Sequence, residues 1–216
     1  MNPFKKPSPS PLGPLITPET TKETVTLIAG TGKNLKKFPM LKVYATFHSA
    51  PMRIWFAKHD ELVFPDWEVD TVKLLAIFLT TAQVNPPTKK HMPKDKVGFE
   101  MMRRLKLVTL ANQMEIKLLR KQCFDWFDAA IDLYNYLPVE IFGWIYDHYK
   151  KGGPSRQYFI DKAVVFLPAS VYMEEPPPPI PKEMLFEMMR AVKSKVDPKA
   201  LNAVMPNMDR YYNYNY

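Results

Sequence analysis

The sequence is poor in cysteine, in glycine and in long apolar runs. Cys123 is the one cysteine of 216 residues, which excludes an internal disulfide framework and any zinc site built on cysteine pairs, and makes a reducing compartment the simplest reading. Glycine, with 7 residues, stands at about half its usual share, while proline, with 22, stands at about twice. Some segments therefore cannot be the interior of a helix or sheet. The longest apolar stretch, Ala163 to Met173, is interrupted by Pro168 and falls short of the ~18 residues a membrane span needs. Lys5 and Lys6 are followed by no apolar segment of the kind a secretory signal carries, and no Asn-x-Ser/Thr acceptor occurs. These absences predict a soluble intracellular protein, cytoplasmic or nuclear, with no membrane partner.

What is present is a globular composition. Hydrophobic residues make up 46% and charged residues 24%, with a formal net charge of +8, enough apolar surface for a real core. The length fits one domain with appended helices or two small domains. Six of the prolines fall in the first 18 residues among serines and threonines, so residues 1–22 read as a disordered arm. Pro176 to Pro179 with Pro181 form a stiff spacer over 169–181. A C-terminal helix is expected over 182–204, followed by a loose Tyr/Asn tail over 205–216.

Between these segments the pattern resolves into elements. Thr24 to Ala29 alternates and is rich in β-branched residues, Gly30 to Asn34 has turn chemistry, and Leu35 to Met40 can return as the partner strand. Leu41 to Phe47 and Ser49 to Lys58 read as two short helices, the second capped by Ser49 with Pro51 in its first turn. Leu62 to Phe64 is a strand stopped by Pro65, and Asp66 is placed as the cap of a helix carrying Val69, Val72, Leu75, Ala76 and Leu79 on one face. Asn85 to Val97 reads as a solvated loop. Helices follow over Phe99 to Met114, over Ile116 to Tyr134, from Pro138 through Tyr149, and from Pro154 to Leu167. The fold class is α+β: a small three-strand sheet wrapped by helices, followed by an all-helical extension.

The residues in that order resemble the BTB/POZ family. Phe38 to Ser49 is similar to the family's stretch in which a phenylalanine precedes a short helix and a Ser-Pro element. Phe64-Pro65-Asp66, Asp70-Thr71-Val72 and Phe78 to Ala82 resemble its strand end, its following helix and that helix's Phe-Leu-Tyr-Thr-Gly ending, with Ala82 standing in the place of the glycine. Leu107 to Leu118 looks like its alanine-centred helix pair, and Leu137 to Tyr146 resembles the helical extension of BTB proteins in filamentous fungi. The resemblance implies a BTB-like domain over 23–124 and a helical extension over 125–168. It further implies a protein-interaction module that associates with itself or with another BTB protein, using the first helices and the hairpin region. Val43, Tyr44 and Phe47 are the residues expected at that interface. Some members bind a cullin scaffold through a hydrophobic-x-Glu element; Gln83 to Pro87 has no glutamate, so a cullin partner has little support.

Chemistry is sparse. Gly30-Thr31-Gly32-Lys33 lacks the flanking glycine and the Ser or Thr of a phosphate loop and leads into a strand, so it reads as a hairpin turn. Cys123 has no histidine nearby and reads as a packed side chain. The four histidines show no metal-ligand spacing, and Asp125, Asp128 and Asp132 read as a solvated helix face. No catalytic residue, metal or cofactor is expected, and the chain is not read as an enzyme. Lys89, Lys90, Lys94, Lys96, Arg103 and Arg104 form a basic patch. It reads first as a solvated loop that aids solubility; the alternative reading is a nuclear regulator associated with nucleic acid, a partner with little support because no recognition helix, zinc finger or stacked aromatics accompany the patch.

Overall fold

The computed structural model describes residues 22–89, 92–167 and 179–195. The expected arm, most of the expected spacer, the end of the expected C-terminal helix, the Tyr/Asn tail and Lys90 lie outside the described residues. The chain divides into two compact units, one ending at Tyr134 and one beginning at Asn135.

The first unit is α+β. Strands β1 (Thr24–Ala29) and β2 (Lys36–Leu41) form an antiparallel hairpin, helices α1 (Lys42–His48) and α2 (Ala50–Phe56) follow, and β3 (Glu61–Phe64) returns parallel to β1. The sheet order is β2-β1-β3. A parallel return requires a crossover, which the two short helices supply. The turn starts at Gly30, whose φ is +82° and where a Cβ would lie 2.5 Å from the Asn34 carbonyl oxygen, so only glycine fits there. A single 3-10 turn then takes up Gly32–Asn34, and the Leu35 amide donates to the Gly32 carbonyl. That bond withdraws Leu35 from the ladder and moves the second strand one residue later than expected.

Side chains alternate across the sheet. Val25, Leu27, Ala29, Met40 and Phe64 are buried on one face. On the other, Lys37 of β2 and Glu61 of β3 join in a 2.9 Å ion pair across the intervening β1. Helices α3 (Val69–Thr81), α4 (Val97–Gln113) and α5 (Lys117–Tyr134) complete the unit. Val72, Leu75 and Leu79 are buried on α3 as the spacing predicted, together with Thr71 and Phe78. Asp66 does not cap α3. The Trp67 amide donates to the Phe64 carbonyl in a turn, and the helix starts only after Glu68. The boundary expected after Phe124 falls inside α5, which is uninterrupted through Tyr134.

The second unit is helical: α6 (Ile141–His148), α7 (Pro154–Phe166) and α8 (Lys182–Lys195). Pro138 precedes α6 rather than opening it, because residues 139–142 first make a turn in which the Phe142 amide donates to the Val139 carbonyl. Ile141, Phe142 and Ile145 are buried on α6, Phe159, Ile160 and Ala163 on α7, and Met184, Met188 and Ala191 on α8. Among the described residues no helix is long and apolar enough to cross a membrane.

Candidate functional site

Three places in the molecule bring chemistry-bearing side chains together. The first is the pair α1 and α2. Each helix has seven residues, too short to be stable alone, so each is held by its neighbours. Ser49 sits between them as N-cap of α2: its Oγ accepts from the Met52 amide at 3.2 Å and donates to the Met114 carbonyl at 2.7 Å. The inward residues are Ala45 on α1 and Met52 and Phe56 on α2. Val43 and Phe47, four residues apart, share the α1 face opposite Ala45. Val43 and Tyr44 are half-buried and Phe47 is 46% exposed. On α2, Ile54 is 74% exposed and Trp55 43%. Trp55 is fixed nonetheless, for its Nε1 donates to the Glu61 carbonyl at 2.8 Å and its ring lies 4.4 Å from that of His59. Sequence reasoning placed Val43, Tyr44 and Phe47 on this first helix and passed over Ile54 and Trp55, which lie off the Met52/Phe56 face. The His48 ring packs against Phe47 and Phe78, and burial lowers its pKa, so it is neutral at pH 7.

The second place is the expected basic patch, which the structure divides. Lys89, Lys94 and Lys96 are exposed. Arg103 and Arg104 turn instead to Glu100, at 2.7 and 2.6 Å. Lys106, a third basic residue of the same helix, pairs with Glu68. Burial pushes the Glu100 carboxyl up, but the two guanidiniums outweigh it and hold the group below its ordinary value. Arg104 also stacks on Trp126 of α5, with its guanidinium carbon 3.9 Å from the ring centre. Trp126 is 3% exposed. Beside the pair lies a cavity of about 460 Å³. It is lined by Asn85, Pro86, Pro87, Thr88, Met92, Glu100, Arg104 and Trp126.

The segment expected as a solvated loop is thus partly structural. Met92 is buried and its carbonyl accepts from the Tyr134 hydroxyl. At the start of the segment, Gln122 on α5 accepts from the Val84 amide at 2.7 Å and donates to the Ala82 carbonyl at 3.0 Å. Next to it Cys123 is fully buried, and burial raises its thiol pKa to about 12, which leaves it protonated and unreactive at neutral pH. Asp125 pairs with Lys121 at 2.6 Å.

The third place lies within the helical unit. Arg156 on α7 is 3% exposed and its guanidinium carbon sits 3.6 Å above the Tyr146 ring. Nε and Nη2 donate to the two carboxylate oxygens of Glu187 on α8 at 3.1 and 3.0 Å, and Nη2 lies 2.9 Å from Glu183. The Tyr146 hydroxyl donates to Glu187 at 2.6 Å, and Lys151 reaches Glu183 at 2.7 Å. Burial alone would lower the Arg156 pKa, but Glu183, Glu187 and Tyr146 hold it above its ordinary value; burial and Glu187 likewise push the Tyr146 hydroxyl up. The cluster fastens α8 to α6 and α7.

Comparison of the chain with protein-family models and with curated protein sequences gives no match in either.

Proposed function

We propose that the chain is a non-catalytic protein-interaction module of BTB/POZ type, acting by homo- or hetero-association through α1 and α2 and serving as an adaptor. The observation that carries this is the row of apolar side chains left in solvent on two adjacent short helices: Phe47, Ile54 and Trp55. Large apolar groups clustered on a surface mark association sites. The element order supports the family reading, since hairpin, two short helices, a third strand and then a series of helices is the order in which the residues resembling the family stand. The partner is a second copy of the chain or another BTB protein.

Light scattering on the full chain at micromolar concentration tests the reading. A dimer is expected. Phe47→Asp combined with Ile54→Asp should convert it to a monomer with unchanged far-ultraviolet circular dichroism, because both side chains lie outside the core. A strictly monomeric parent protein would end the self-association reading.

A further inference from the structure

We propose that the cavity between the 85–88 segment, α4 and α5 is a second docking site, one that takes an acidic peptide segment of a protein partner. A carboxylate of the peptide meets the edge of Arg104 that Glu100 leaves unused, and a neighbouring apolar side chain rests on Pro86, Pro87 and Met92. The site is independent of the α1 and α2 surface.

The donors of this site outnumber their acceptors. Arg104 gives only Nη1 to Glu100, with contacts of 2.6 Å to Oε2 and 3.4 Å to the main-chain oxygen. Its Nε is buried and has no hydrogen-bond partner, and the same is true of the Trp126 indole Nε1. Two lining residues of one cavity therefore lack an acceptor. Buried polar groups are nearly always satisfied, and an unpaired one is costly. A carboxylate is the acceptor that suits a guanidinium edge. Stacking on Trp126 at 3.9 Å fixes the plane of that edge before any ligand arrives, which lowers the ordering cost of binding.

Charge agrees with this choice. Between Asn85 and Arg104 the sequence has six lysines and arginines against two acidic residues, Asp95 and Glu100. Lys89, Lys94 and Lys96 are exposed, so they can attract an acidic chain from a distance. The volume, about 460 Å³, lies in the usual range of small binding pockets.

The same features favour a peptide over a nucleic acid. Trp126 is buried and covered by Arg104, so no aromatic face is open for base stacking. The two prolines and the methionine are suited to an aliphatic or aromatic side chain.

The test uses the full chain as bait for a phage-displayed random heptapeptide library. The best-enriched peptide is then synthesised and titrated into ¹⁵N-labelled protein. Enriched peptides are expected to place Asp or Glu beside Leu, Ile or Phe, and the peptide should shift the Trp126 indole N–H signal, identified by its loss in Trp126→Phe. Arg104→Gln should weaken binding about 10-fold. Because that variant also alters packing, the exposed double variant Lys89→Glu/Lys96→Glu is measured beside it and should weaken binding several-fold. The proposal is overturned if no peptide is enriched, if enriched peptides lack acidic residues, or if the lysine variant binds as tightly as the parent. It is equally overturned if a single-stranded deoxythymidine oligonucleotide moves the Trp126 signal and the peptide does not.

Discussion

The two units each bury an arginine on an aromatic ring, and the two arginines end differently. Arg156 lies over Tyr146 and spends Nε and Nη2 on Glu187 and Glu183, two carboxylates from one helix. Arg104 lies over Trp126 and spends one nitrogen on Glu100, a carboxylate it shares with Arg103. A guanidinium held between two carboxylates of a neighbouring helix is a fastener. One with an idle edge beside a cavity is a receptor, and stacking serves both because it fixes the plane without consuming a donor.

Neutralising each arginine is the most direct way to break this contrast. Arg156→Met should lower stability by roughly 3 kcal/mol, because Glu187 is left largely buried without its cation. Arg104→Met should cost roughly 1 kcal/mol, because Glu100 keeps Arg103 and the methionine still covers Trp126. Urea unfolding followed by circular dichroism measures both, and equal losses would erase the distinction.

Acid sharpens it next. The folded-state pKa of Glu100 lies below its ordinary 4.5, so the stability it contributes is complete above that value and disappears as pH falls through the folded pKa. Unfolding midpoints measured between about pH 5 and pH 3 should fall less steeply in Glu100→Gln than in the parent. An unchanged slope would mean that the Glu100 pairs contribute nothing.

The smallest expected effect concerns the segment that leads from α3 towards the Arg104 cavity. Ala82, at the C-terminal end of α3, has φ +54°, a left-handed conformation that favours glycine, the residue the BTB resemblance places there. Ala82→Gly should raise stability by roughly 0.5 kcal/mol, relief of the left-handed strain exceeding the entropy lost. Thermal unfolding would register it as a small upward shift of the midpoint, and a downward shift would contradict it.

How much of this was legible in the sequence depends on how local the cause is. The hairpin, the Ser49 cap, the apolar face of α3 and the glycine-started turn are settled within a few residues, and the structure has them within a residue of the expected positions. The starts of α3 and α6 lie two and three residues later than expected because a hydrogen-bonded turn intervenes after Phe64 and after Pro138. Nothing near Arg156 announces a buried charge. Its carboxylates lie 27 and 31 residues further on, across the proline cluster, and an arginine in an amphipathic stretch is ordinarily exposed. The basic patch misled for a related reason: counting lysines and arginines shows charge, whereas Glu100 at three and four residues' spacing decides which cations turn inward. Val43, Tyr44 and Phe47 fell on the helix expected to carry them, since seven residues leave few alternatives for its outer face.

Ser49 binds the hinge between α1 and α2 to the carbonyl of Met114, 65 residues away. Neither short helix can persist by itself, so the final form of this corner waits for the turn that joins α4 to α5. During synthesis the chain must therefore extend well past residue 114 before Phe47 and Ile54 are presented on a fixed backbone. Nascent chains carry these exposed apolar residues early and acquire the backbone that presents them late, an order that ties the shape of this corner to completion of the first unit.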